Sequence, residues 1–114
     1  MKLNHVHLMV TDVRAAKDFM EKYFGLQNSG GNDGLTVLID NDGLVLTLMK
    51  MGRTGSTTYP DNFHVGFFVE SDAKVDQIYQ LLKADGYDVA PPERQHAYSF
   101  YVGAPGGFTI EVGA

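Results

Sequence analysis

Five side chains of types that ligate ions or move protons stand out in this sequence. His5 and His7 stand in Leu3-Asn4-His5-Val6-His7-Leu8-Met9-Val10, and His64 stands in Phe63-His64-Val65-Gly66-Phe67-Phe68-Val69. Tyr101 and Glu111 follow near the end of the chain. Imidazole nitrogens and carboxylate oxygens are the donors that iron, manganese, zinc or nickel accept, and two imidazoles with one carboxylate leave coordination positions open. An open position lets a substrate oxygen bind and be polarised. Imidazole also exchanges protons near neutral pH, which makes His7 a candidate acid or base. A phenol such as Tyr101 can donate a hydrogen bond to a bound oxyanion. A single histidine on a strand is ordinarily a residue with a hydrogen-bond partner. The chemistry therefore depends on the elements that position these groups.

Both histidine stretches read as strands, being dense in β-branched and aromatic residues. Side chains alternate faces along a strand, so Val6, Leu8 and Val10 share one face and His5, His7 and Met9 the other. In the second stretch Phe63, Val65, Phe67 and Val69 face a core, and His64, Gly66 and Phe68 share the opposite side. In the final strand Phe108, Ile110 and Val112 face the core, which turns Thr109 and Glu111 the other way. Thr47 takes the corresponding place in the first half. His5, His64, Glu111 and Thr47 are expected to converge on one concave side, with His5, His64 and Glu111 as ligands of a divalent ion. His7 and Tyr101 share that side as candidates for proton transfer or hydrogen bonding. Phe68 and Met9 are expected to shape an apolar wall.

The remaining elements come in the same order twice. Thr11-Asp12 caps a helix whose apolar stripe is Val13, Ala16, Phe19, Met20, Tyr23 and Phe24, and Gly25 ends it. A weak strand near 27–31, a strand at 35–39, a turn at Asp40-Asn41-Asp42-Gly43 and a returning strand at 44–49 follow. In the second half Ser71-Asp72 caps a helix with Val75, Ile78, Leu81 and Leu82, which Gly86 ends. A short strand at 87–89, a break at Pro91-Pro92, a strand at 97–102, a turn at 103–107 and a strand at 108–112 complete it. His5-Val6 matches His64-Val65, and Phe19 falls on Tyr79. The expected fold is α+β: two βαβββ modules, residues 1–50 and 62–114, related by a pseudo-twofold within one domain of 1–114. Residues 51–61 read as the linker, and the curved mixed sheets are expected to form a cleft. Arg94, His96 and Tyr98 sit in a polar segment read as a rim or lid, with Arg94 in solvent. The charged residues of both helices, Asp76 among them, read as solvent faces.

Composition narrows the function classes. At 114 residues the chain can bury a core unaided. It contains no cysteine, which excludes disulfides, thiolate metal sites and a cysteine nucleophile. The formal net charge of −5 argues against nucleic acid or an anionic membrane as the partner. No apolar run approaches the ~20 residues of a membrane span. Met1-Lys2 leads straight into a strand without a signal-peptide pattern, so a cytoplasmic location is expected.

The same motifs resemble the vicinal oxygen chelate superfamily, which includes glyoxalase I, extradiol dioxygenases, fosfomycin-resistance enzymes and bleomycin-resistance proteins. The likeness rests on Leu-Asn-His-Val-His-Leu-Met-Val-Thr-Asp around His5, on Tyr23-Phe24-Gly25-Leu26, on Phe-His-Val-Gly-Phe-Phe-Val around His64, and on Gly-Gly-Phe-Thr-Ile-Glu-Val around Glu111. It implies paired βαβββ modules, a divalent metal on His5, His64 and Glu111, and a homodimer whose cleft can be shared between subunits. Glyoxalase I-like enzymes carry a fourth ligand, a Glu, where this chain has Thr47. Fosfomycin thiol-transferases and extradiol dioxygenases share the three ligands and a Tyr at the spacing of Tyr101 and Glu111, but this chain lacks the thiol-transferases' Lys before that Tyr. Two functions follow as expectations. One is a metal-dependent enzyme that chelates vicinal oxygens of a small substrate. The other is a non-catalytic drug- or metabolite-binding protein of the bleomycin-resistance type.

Overall fold

A computed structural model describes residues 1–51 and 59–114. Most of the expected linker therefore lies outside the described residues. The element order is β1 (His5–Val10), α1 (Val13–Phe24), β2 (Gln27–Gly31), β3 (Leu35–Ile39), β4 (Val45–Lys50), β5 (His64–Phe68), α2 (Asp72–Ala84), β6 (Glu93–Arg94), β7 (Tyr98–Ala104) and β8 (Phe108–Gly113). This is the βαβββ pattern twice, as the duplicated sequence implies. It forms two four-stranded sheets, β1-β4-β3-β2 and β5-β8-β7-β6, and in each the first strand runs parallel to the last. The α+β fold class is as expected.

The chain divides into two compact units. One comprises Met1–Tyr59 with Pro105–Gly107, and the other Pro60–Ala104 with Phe108–Ala114. In the first, Asp12 accepts a hydrogen bond from the Ala15 amide at the start of α1, satisfying a donor the helix leaves unpaired. Gly25 ends the helix at φ 68°, a left-handed cap that glycine adopts without a Cβ penalty. Val13, Ala16, Phe19, Met20 and Tyr23 bury the stripe of α1 against β2, β3 and β4. Leu8, Val10, Leu38 and Leu48 form the fully buried centre of this unit. The edge strand β1 is closed by Tyr59, whose hydroxyl accepts from the Met9 amide and donates to the Met9 carbonyl.

In the second unit Ser71 caps α2 through the Lys74 amide. Val75, Ile78, Tyr79 and Leu82 pack on β7 and β8, meeting Phe100, Val102, Ile110 and Val112. One element departs from the sequence reading. The short strand is not at 87–89 but at Glu93–Arg94, which pairs with Ser99 and Tyr98. Proline cannot donate to a ladder, so pairing begins only after Pro91-Pro92, and Val89 is buried in the core instead. Arg94 and Asp76 are exposed, as expected, and each also makes a contact that the sequence did not indicate. Arg94 pairs with Asp72 of α2 and lies over the Tyr98 ring, while the Tyr98 hydroxyl donates to Asp76 at 2.6 Å.

Candidate functional site

The registers of the second sheet set out its open face in rows. His64, Thr109 and Gly103 form the first; Gly66, Glu111 and Tyr101 the second; Phe68, Gly113 and Ser99 the third. The parity that buries Phe108, Ile110 and Val112 leaves Thr109 and Glu111 on this face, as expected. His64 Nε2 lies 3.3 Å from Glu111 Oε2. Gly66 contributes no side chain between them and the third row, so the carboxylate stays accessible.

The hydrogen bonding of His64 determines what it offers. Its Nδ1 is 2.9 Å from the Asn62 carbonyl oxygen, which can only accept, so Nδ1 carries the hydrogen and neutral Nε2 presents a lone pair. That lone pair faces a carboxylate oxygen, which is also an acceptor. Two acceptors at this distance are reconciled by positive charge between them, a proton or a metal ion. The side chains are 39% and 22% exposed and sit on paired strands, with the imidazole oriented by a backbone carbonyl. An imidazole and a carboxylate held in this way fit a divalent ion of the iron, manganese, zinc or nickel type.

Tyr101 stands edge-on to His64, with ring centroids 5.5 Å apart and planes at 89°. Partial desolvation, then the charge of Glu111 and the hydrogen bond to it, push the Tyr101 hydroxyl above the usual tyrosine value. The phenol therefore keeps its proton at neutral pH and acts as a donor rather than a base.

The first unit carries the other candidates. His5 aligns with Val45 and His7 with Thr47, in the register that pairs His64 with Thr109 and Gly66 with Glu111. Thr47 thus occupies the place of Glu111, as the sequence indicates, and His7 stands where the second unit has Gly66. His7 Nδ1 is 2.6 Å from Thr47 Oγ1, and that hydroxyl points its hydrogen toward the Val6 carbonyl at 3.5 Å. His5 Nδ1 is 2.7 Å from Asn4 Oδ1. All three strand histidines thus hold Nδ1 against an oxygen and offer Nε2. The structure brings His64, Glu111 and Tyr101 together in the second unit, and His7 with Thr47 in the first. Among the described residues no group of three or more His, Cys, Asp or Glu side chains has the spacing of a metal site. Asn62 carried no signal in the sequence, because its contribution is a backbone carbonyl.

Two open pockets flank Tyr101 in the second unit. One, of about 450 Å³, is lined by Asp61, Asn62, His64 and Thr109. The other, of about 510 Å³, lies over Phe68, Ser99 and Glu111 under a wall from Pro91, Glu93 and His96.

A fold of two βαβββ units with a histidine facing a carboxylate across parallel strands defines a class, and comparison agrees with it. Residues 2–112 match the Glyoxalase/Bleomycin resistance protein/Dioxygenase superfamily, and the chain belongs to that superfamily. Among solved structures, a possible glyoxalase from Bacillus cereus is 53% identical over 100% of this chain and 99% of its own, with a TM-score of 0.93. Lactoylglutathione lyase from Agrobacterium tumefaciens is 22% identical, covering 98% and 92%, with a TM-score of 0.79. A mutant of the fosfomycin resistance protein FosX from Listeria monocytogenes, in a complex with Mn(II) and 1S,2S-dihydroxypropylphosphonic acid, is 22% identical, covering 99% and 91%, with a TM-score of 0.79. At that identity the last two are likenesses of fold. No curated protein matches the chain significantly.

Proposed function

We propose that this protein is a divalent-metal-dependent enzyme acting on a small substrate held through vicinal oxygens. The observation that carries the reading is His64 Nε2 facing Glu111 Oε2 at 3.3 Å while the Asn62 carbonyl holds the other ring nitrogen. Two neighbours in fold give it context: a lactoylglutathione lyase, and a fosfomycin resistance protein complexed with Mn(II). The third ligand in this proposal is His5, whose Nε2 is offered in the same way. A homodimer whose cleft draws on both copies goes with it.

When bound, the ion supplies Lewis-acid polarisation of substrate oxygen. The chain's own residues do the rest. Tyr101 donates to negative charge developing on the substrate, a phenol being protonated at neutral pH. His7, with Nδ1 on Thr47 and Nε2 open, is the proton acceptor.

The test is turnover of small diols, α-hydroxycarbonyls and catechols by protein stripped with a chelator and reloaded with Fe(II), Mn(II), Zn(II) or Ni(II), in air and without it. Product formed only after reloading supports the enzyme reading, and a requirement for air marks dioxygenase chemistry. Tight ligand binding, unaltered by the chelator and without product, would instead assign the binding-protein class.

A further inference from the structure

The pocket of about 510 Å³ beside Glu111 has a floor that no contact inside the second unit explains. Phe68 is a large aromatic left 78% exposed, and Tyr101, two strands away on the same face, is 51% exposed. The ring of Phe68 lies over Gly113. A Cβ on that glycine would come within 3.0 Å of the ring and 3.2 Å of Ser99 Cβ, so a side chain there would displace the ring by a few tenths of an ångström. Phe68 thus reaches over the row that ends at Ser99.

The charge of the pocket is one-sided. Two carboxylates line it, Glu93 from the wall and Glu111 from the floor, and among the described residues no lysine or arginine does. The wall segment does contain a cation, Arg94, but its guanidinium is committed to Asp72 and stacked over Tyr98. His96 is the one basic side chain at the rim, and it stands among these acids. Aromatic faces attract cations through their negative quadrupole, and uncovered aromatic surface is stabilised by an apolar body laid on it.

We propose that this pocket selects the body of the substrate: an apolar group carrying a positive charge, laid on Phe68, with anionic groups rejected by Glu93. The inference rests on the functional reading above for the statement that the bound molecule is a substrate. The selectivity itself resides in the pocket and does not require the ion.

The experiment uses three soluble probes that do not chelate: phenyltrimethylammonium, benzyl alcohol and benzenesulfonate. Each is titrated into the purified full chain, and into the same protein after chelator treatment, with backbone amide shifts giving site and affinity. The cation is expected to bind roughly tenfold more tightly than the sulfonate, with the alcohol between, perturbing Phe68, Ser99 and Tyr101. Phe68→Ala should cost roughly tenfold for the cation, and Glu93→Gln should narrow the gap between the cation and the alcohol. The ranking is read in the chelator-treated protein, where no ion offsets the charge of Glu111. Sulfonate binding equal to or tighter than the cation, perturbation confined to other faces, no binding by any probe, or an unchanged affinity in Phe68→Ala would each overturn the proposal. Failure to hold a metal would leave the ranking intact, so it refutes the enzyme reading separately.

Discussion

Glu111 serves two neighbours with different demands. His64 Nε2 turns a lone pair toward it, and the Tyr101 hydroxyl turns a hydrogen. The first relation calls for a cation, and the second keeps the phenol protonated. Tyr101→Phe is therefore expected to leave metal content unchanged and to lower kcat by about 10²-fold, the loss of one oxyanion donor. The pH dependence follows from the sign of the shift. The folded value lies above the free one, so the donor form is fully present below the usual value of about 10 and is lost only as pH rises through the higher folded value. An ultraviolet titration of tyrosine ionisation should show a late component that Tyr101→Phe removes. The parity of the strands made His64 and Glu111 legible in the sequence as partners on one face. The Asn62 carbonyl and the space at Gly113 were not legible, since one is main chain and the other is the absence of a side chain.

At the scale of elements, two features hold the wall of the larger pocket. Arg94 with Asp72 and Tyr98 with Asp76 tie β6 and β7 to α2. The hydrogen bond to Asp76, then desolvation, raise the Tyr98 hydroxyl above its usual value. This contribution is present below about pH 10 and fades as pH rises through the folded value. Tyr98→Phe should speed amide exchange in residues 93–98 at neutral pH while leaving the β8 amides protected, as hydrogen-exchange mass spectrometry would show. Packing is expected to dominate global stability. Ile110 is fully buried, and Ile110→Ala should cost about 2–5 kcal/mol in denaturant unfolding, against about 1 kcal/mol for loss of the Asp12 cap in Asp12→Ala. The helices and the long strands were readable because their apolar residues recur at one clear period each. Glu93–Arg94 was not, because two residues carry no period and their pairing depends on β7, which comes later in the chain. The ties from Asp72 and Asp76 were hidden for a related reason: on the helix alone they are ordinary solvent carboxylates.

At the scale of the whole molecule, the repeat is unequal by design of its residues. The same register offers His64 a carboxylate at Glu111 and offers His5 only Thr47, with His7 in the place of Gly66. One unit thus holds two of the three proposed ligands, and the other holds the third. If sites form across two copies, His5→Ala and His64→Ala chains, each unable to hold metal alone, should regain about a quarter of the wild-type metal content when mixed and refolded together, since about half of the pairs are then mixed and each of those has one of its two sites intact. Native mass spectrometry of protein made without a histidine tag tests the central claim most directly, because it counts ions and chains together. A dimer carrying about one divalent ion per chain is expected, with the ion lost in both His64→Ala and Glu111→Ala and the fold retained. Full metal retention in the double variant, or a natively folded protein that takes up no ion from any of the four metals, would contradict it.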